Sequence, residues 1–357
     1  MKIYIKFLVN NFVKSLLFVT AIMLCLVFIL NLLTELEFFK DKNIEIVLPL
    51  ILSFLNSPSM IFDMFPFIFL ISTQLFFIKL FQNNEIEIFK YSGLKNINIL
   101  TIISVTSLVL SLLISIFFYQ FSSNLKNFYL EIKSKYTNDG KYLAVITNNG
   151  LWIKDKINNS NLMINSSEVE KDFLINNFIT EFDNNYNVVR NIRSEKINIK
   201  NKKWIIYNAK IYDNNNYEVK KNFELDTNFN YERIQKLYSN LSSLNITQLL
   251  ELRENYKKLN YSLTEINLQL FKLASYPINL LLMTIFSFLI MLRTKRLTNT
   301  TFQISIGLFF SVIIYYFNNF FFVMGNAEKI TVTTAIFTPL LILTLINSTL
   351  LNKINEK

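Results

Sequence analysis

Histidine is absent from all 357 residues. That excludes imidazole metal sites, Ser-His triads and histidine acid-base chemistry together. Cysteine occurs once, as Cys25 inside an apolar run, so no internal disulfide can form and the thiol reads as a small packing group. Glycine occurs only five times, and nowhere as a Gly-rich loop ending in Lys-Ser or Lys-Thr. The chain therefore has no such loop with which to bind nucleotide phosphates. Charged residues make up 17% of the chain, and although the net charge is +10, the basic residues are scattered. No compact basic face forms, which argues against nucleic acid as a partner. The abundance of Asn, Ile, Lys and Phe reads as nucleotide composition acting on the protein rather than as a prion-like tract.

What remains is apolar. Hydrophobic residues are 52% of the chain, with 35 Phe, and they gather into runs long enough to cross a bilayer. The first charge-free run is Ser15 to Thr34. A secretory signal would have a shorter core and a small-residue cleavage site, so an uncleaved transmembrane helix is expected. Pro49, Pro58, Asp63 and Pro66 interrupt the next apolar region, which predicts an interfacial piece over 46–57 and a kinked span over 58–80. Each proline inside a membrane helix frees a carbonyl that neighbours must satisfy. Asp63, the only acid of that region, reads as lying at the outer interface. Further spans are expected at 96–124, at 273–292 after Lys272, at 302–324 and at 331–350. Ser262-Leu263-Thr264-Glu265 fits a capping box at the entrance to the fourth.

Between the third and fourth spans the composition changes. Alternating runs such as Tyr142–Ile146, Phe173–Ile175, Ile197–Ile199 and Trp204–Tyr207 are separated by Asn-rich turns at 148–150, 158–160 and 213–216. This predicts a mainly β soluble domain. The division is 1–124 with three spans, 125–245 as the β domain, and 246–357 as a connecting helix with three spans.

Six spans put both termini on one side. With the N-terminus cytoplasmic, the inner segments hold Lys2, Lys6, Lys14, Lys79, Lys90, Lys95, Arg293, Lys295, Arg296, Lys353 and Lys357, while the outer loops hold Lys40, Lys42 and Lys329. Eleven against three is a positive-inside bias. It places the β domain outside and the polar stretch Gln82 to Gly93 in the cytoplasm. That stretch predicts a short amphipathic helix, with Asn83 or Asn84 as cap, Glu85 and Glu87 in the first turn, and Gly93 closing it. It reads either as a solvated turn or as a helix that docks on a cytoplasmic motor.

Three helices, an external β domain and three more helices, with Glu85 and Gly93 eight residues apart after the second span, resembles the LptF/LptG permease family. Ser57-Pro58 with Pro66, Gly150-Leu151-Trp152 with Asp155, Trp204, and Lys272 with Pro277 add to the likeness, which covers essentially the whole chain. The region from Glu37 to Pro66 looks more like LptG. The resemblance implies a non-catalytic membrane subunit of an ABC transporter that extracts lipopolysaccharide and passes it to a periplasmic bridge. Implied partners are an LptB-type ATPase dimer, a paired LptF/LptG-type subunit and LptC/LptA-type jellyroll proteins, with the β domain itself jellyroll-like. It assigns Glu85, Glu87 and Gly93 to a coupling helix, and implies no cofactor and no metal. Family members often carry basic residues at the outer end of the first span, a position filled here by Asn31, Glu35 and Glu37. Either Lys40 and Lys42, slightly further on, are the substrate contacts, or the partner subunit supplies the charge, or the exported lipid carries fewer phosphates; the two lysines otherwise read as ordinary interfacial side chains. The many Phe of the first and fifth spans would line an acyl groove or simply pack. A membrane-anchored sensor or assembly scaffold stays open as the alternative function. A lipid-modifying enzyme is disfavoured by the missing histidine and by the lack of clustered carboxylates.

Overall fold

The computed structural model describes residues 2–40, 45–136, 151–157, 160–170, 172–183, 186–213, 216–231, 234, 240–258, 262–294 and 299–355. The expected strand at 142–146, the turn at 148–150, Asn158, Asn159, Asn214 and Asn215, and Lys42, Lys295, Arg296 and Lys357 lie outside them. The chain divides into two compact units, Met1–Lys126 with Thr264–Lys357, and Asn127–Leu263.

Six helices of the described residues are long and apolar enough to span a membrane. The first, α1 (Ile3–Phe38), is 36 residues of uninterrupted helix, longer at both ends than the charge-free run that announced it. It packs chiefly against α2 (Val47–Gln82). Here the structure corrects the expected division at residue 57, because α2 is one helix of 36 residues with Pro58 and Pro66 inside it. Polar contacts accompany that continuity. Asn31 of α1 donates to the Ser57 hydroxyl at 3.2 Å and accepts from Asn56 at 3.2 Å, while Ser53 and Ser57 donate to carbonyls one turn back. Pro49 sits in the first turn, where a missing N–H costs nothing.

After the short α3 (Glu85–Tyr91), the third span is α4 (Asn96–Leu113), a π-helical turn (Ile114–Phe118) and α5 (Tyr119–Ser134), joined without a break. In the second unit, α6 (Ile246–Lys258) begins with a reciprocal box: the Gln248 N–H donates to Asn245 Oδ1 at 2.9 Å, and the Asn245 N–H to Gln248 Oε1 at 3.0 Å. The fourth to sixth spans are α7 (Thr264–Thr294), α8 (Thr300–Asn326) and α9 (Val332–Asn355).

α2 and α7 form the centre of the membrane unit. Phe62 stacks on Tyr276 at 4.5 Å and Phe77 meets Phe288 edge-on at 4.9 Å, so the two helices run in the same direction. The carbonyl of Phe62, which Pro66 deprives of its helical partner, accepts the Tyr276 hydroxyl instead. This is the compensation that the proline demands. Lower down, Ser287 donates to the Leu70 carbonyl at 2.7 Å, and Ser107 of α4 bonds Thr284 at 2.8 Å.

The second unit is a six-stranded antiparallel meander in the order β1 (Leu151–Ile157), β2 (Ser160–Glu170), β3 (Phe173–Phe182), β4 (Val188–Asn198), β5 (Lys203–Asp213) and β6 (Asn216–Asp226). One face carries the core, with Ile153, Ile164, Ile179, Ile192, Trp204 and Ile206 nearly or fully inaccessible. At one level the pairing is interrupted across five strands while the register on either side is kept, and Asn176 and Asn208 adopt positive φ there, at 52° and 48°. Buried Asn177 and Ser194 satisfy backbone groups at that crease: Asn177 donates to the Leu174 carbonyl at 2.9 Å and Ser194 to the Tyr207 carbonyl at 2.7 Å. Asp155 and Trp204, two residues of the family likeness, hold the segment after β6. Asp155 is fully buried and accepts the backbone and side-chain N–H groups of Asn228 at 2.8 Å each, and Trp204 donates to the Phe229 carbonyl at 2.9 Å.

Candidate functional site

The stretch 82–93 folds as expected in outline and differently in its caps. Asn84 is the residue before α3, but it adopts φ 55° and its side chain makes no capping bond. Asn83 instead donates to the Glu85 carboxylate at 3.2 Å. The C-terminus behaves as its sequence requires. Gly93 takes φ +82°, the Gly93 N–H donates to the Lys90 carbonyl at 2.9 Å, and the Leu94 N–H reaches back to Phe89 at 2.9 Å. This pair of bonds is a Schellman cap, and a Cβ at Gly93 would meet nothing within 4 Å. Glycine is needed there for the backbone angle alone.

Seven residues make a marginal helix in isolation, so α3 depends on its anchor. Ile86 is 2% exposed and joins a core with Leu8 and Phe12 of α1, Phe76 and Phe77 of α2, and Phe288 of α7. Phe89 packs against the same cluster, and its ring meets Phe7 at 6.1 Å. The opposite face is open: Glu87, Lys90 and Tyr91 are exposed, Ile88 is 59% exposed, and Glu85 is half-buried. A cavity of about 900 Å³ lies beside it, lined by Lys2, Tyr4 and Phe7 of α1's first turns and by Glu85, Ile88 and Phe89. The arrangement is a fixed helix with a carboxylate-edged, partly apolar outer face. Chemically it offers contact. Among the described residues no group of three metal-binding side chains occurs.

The sequence-derived sites are not brought together. Lys40 is exposed just past the end of α1, some 33 residues or about 50 Å along that helix from Phe7. Lys42 lies outside the described residues.

Sequence reasoning set aside a charged pair that joins two of the spans. Asp63 of α2 receives a hydrogen bond from Lys272 of α7 at 2.9 Å. Lys272 also lies 5.7 Å from the Phe322 ring centre of α8. The signal was present: a lone acid and a lone base, in two separate apolar regions, are each costly unless they meet.

A model of the lipopolysaccharide export system permease family LptF/LptG matches the chain over residues 6–353. The match covers nearly the whole chain and does not distinguish the two subunit types. A comparison with curated proteins found no match.

Proposed function

The chain belongs to the LptF/LptG family of lipopolysaccharide export permeases, and we propose that it serves as one membrane subunit of an ABC transporter. As a family member it is a multi-pass inner-membrane permease with a β domain. In this reading the ATP is hydrolysed by a separate soluble ATPase dimer, a second LptF/LptG-type subunit completes the membrane half, and LptC- and LptA-type proteins continue the path. The eleven-to-three distribution of Lys and Arg supports cytoplasmic termini, a cytoplasmic α3 and a periplasmic β domain.

The observation that carries the coupling role is the two-sidedness of α3. Ile86 fixes the helix to the cores of α1, α2 and α7, so a push on its exposed Glu85–Glu87 edge passes directly into the bundle. A carboxylate on such a helix pairs with a basic groove through charge-assisted hydrogen bonds. Gly93 holds the helix end through its Schellman cap. Lys40 and Lys42 are assigned to the opposite end, as contacts for the phosphates of the exported lipid.

Affinity purification from native membranes in mild detergent tests the reading. The wild-type chain should recover a small soluble ATPase and a second six-span protein. Glu85→Lys should lower ATPase recovery by about tenfold, equivalent to 1.4 kcal/mol, with membrane insertion unchanged. Undiminished ATPase recovery and undiminished export in that variant would remove the coupling role.

A further inference from the structure

The Asp63–Lys272 pair does not stand alone. It lines an open-sided cavity of about 280 Å³ between α2, α7, α8 and α9, also lined by Asn279, Tyr315, Asn318 and Asn319. The amide oxygen of Asn279 is buried without a hydrogen-bond partner among protein atoms. A cavity lined by an ion pair and several amides among apolar spans carries a desolvation cost unless something fills it.

Its depth indicates what that is. Lys272 is eight residues into α7, Asn319 seven residues from the end of α8, and Pro339 seven residues into α9. Each lies about 10–12 Å from its helix end. Asp63 is nineteen residues from Gln82, the end of α2 next to α3, which is about 28 Å, close to one hydrocarbon thickness. The cavity therefore sits where the headgroups of one leaflet meet the acyl chains, on the side away from α3. Its volume equals about nine water molecules at ~30 Å³ each. That accommodates one phosphate with a short substituent and excludes a phosphorylated disaccharide.

We propose that this cavity binds the phosphate of a small-headed membrane phospholipid, held by Lys272 with the Asn318 and Asn319 amides, as a resident lipid distinct from the exported one. Asp63 pairs with Lys272 at the cavity wall, and its own charge opposes the ligand. The signs therefore separate a lipid site from a structural salt bridge.

Native mass spectrometry of the full-length chain in mild detergent reads bound lipid directly. The probes are phosphatidylethanolamine, phosphatidylglycerol, phosphate-free diacylglycerol and monophosphoryl lipid A, each added to delipidated protein. The wild type should retain one phospholipid of either head and no diacylglycerol. Lys272→Gln should lower retention by about tenfold, the loss of one charge-assisted contact, whereas Asp63→Asn should leave it equal or raise it. Asn318→Trp fills the cavity without touching the ion pair, and should expel the lipid even if Lys272→Gln fails to fold. Equal retention in wild type and Asn318→Trp, or equal losses in Asp63→Asn and Lys272→Gln, would overturn the proposal. A Lys272-dependent lipid A adduct in place of phospholipid would overturn the assignment to a small head. ATPase recovery by these variants is expected to stay at the wild-type level, so failure here leaves the coupling reading untouched.

Discussion

The central helices α2 and α7 and the peripheral helices α1 and α8 obey opposite rules. In their most apolar stretches 72% of residues are buried in α2 and in α7, against 22% in α1 and 11% in α8. Yet α1 is the most apolar of the six spans. The buried face of α2 instead carries Ser53, Ser57, Ser59, Ser72, Thr73 and Gln74. Lipid is as apolar as leucine, so apolar side chains gain little by leaving it. Small and hydrogen-bonding residues gain close approach and satisfied polar groups. In this bundle hydroxyl side chains of α2 gather inside, whereas Leu, Ile and Phe occur both in the core and on the exposed faces.

The contrast is most exposed to test at its largest difference. Phe77 is fully buried against Phe288, so Phe77→Ala should cost about 3 kcal/mol. Phe309 is 63% exposed on α8, and Phe309→Ala should stay within about 0.5 kcal/mol. Unfolding both in the same mixed micelles by denaturing-detergent titration compares them, and equal losses would break the distinction. A finer test uses the carbonyl that Pro66 leaves open. Tyr276→Phe should cost about 1–2 kcal/mol, and markedly less in a Pro66→Ala background, where residue 66 regains an N–H for Phe62. The coupling from that double-mutant cycle measures how far a neighbour repairs a proline. The smallest loss expected at a buried position belongs to Gln74, which is fully buried and donates to the Gln303 carbonyl at 3.2 Å across the seam with α8. Gln74→Leu should cost about 0.6 kcal/mol. Hydrogen exchange should rise in the first turns of α8 and stay unchanged in α7.

The number of spans and the closing glycine of α3 were legible because each rests on a local rule: length of apolar run and backbone angle at Gly93. Strands at Phe173–Ile175 and Trp204–Tyr207 were legible from alternation. The single helix across 47–82 was not, because three prolines suggest a break to any local reading. The Tyr276 hydroxyl and the Asn31–Ser57 contact that accompany the unbroken helix come from elsewhere in the chain. The start of α3 was misread for a related reason: Asn83 serves the Glu85 carboxylate rather than the backbone. Asp63 and Lys272 were visible singly, but their meeting spans 209 positions. The crease in the sheet left no mark in the alternation, since the register on both sides of it is the same.

α1 contains neither glycine nor proline, whereas α2, α7 and α9 each contain proline. It is the stiff member of the set, and it is gripped unevenly. Leu8 and Phe12 share the core that holds Ile86, so that end of the helix is tied to α3. The next polar clamp is Asn31, bonded to Asn56 and Ser57. Pivoted there, the arm from Phe7 is about 36 Å and the arm to Lys40 about 14 Å. Such a lever reverses direction and trades distance for force by a factor of about 2.6. A broad, weak displacement at the α3 end would become a short, strong one at the Lys40 end.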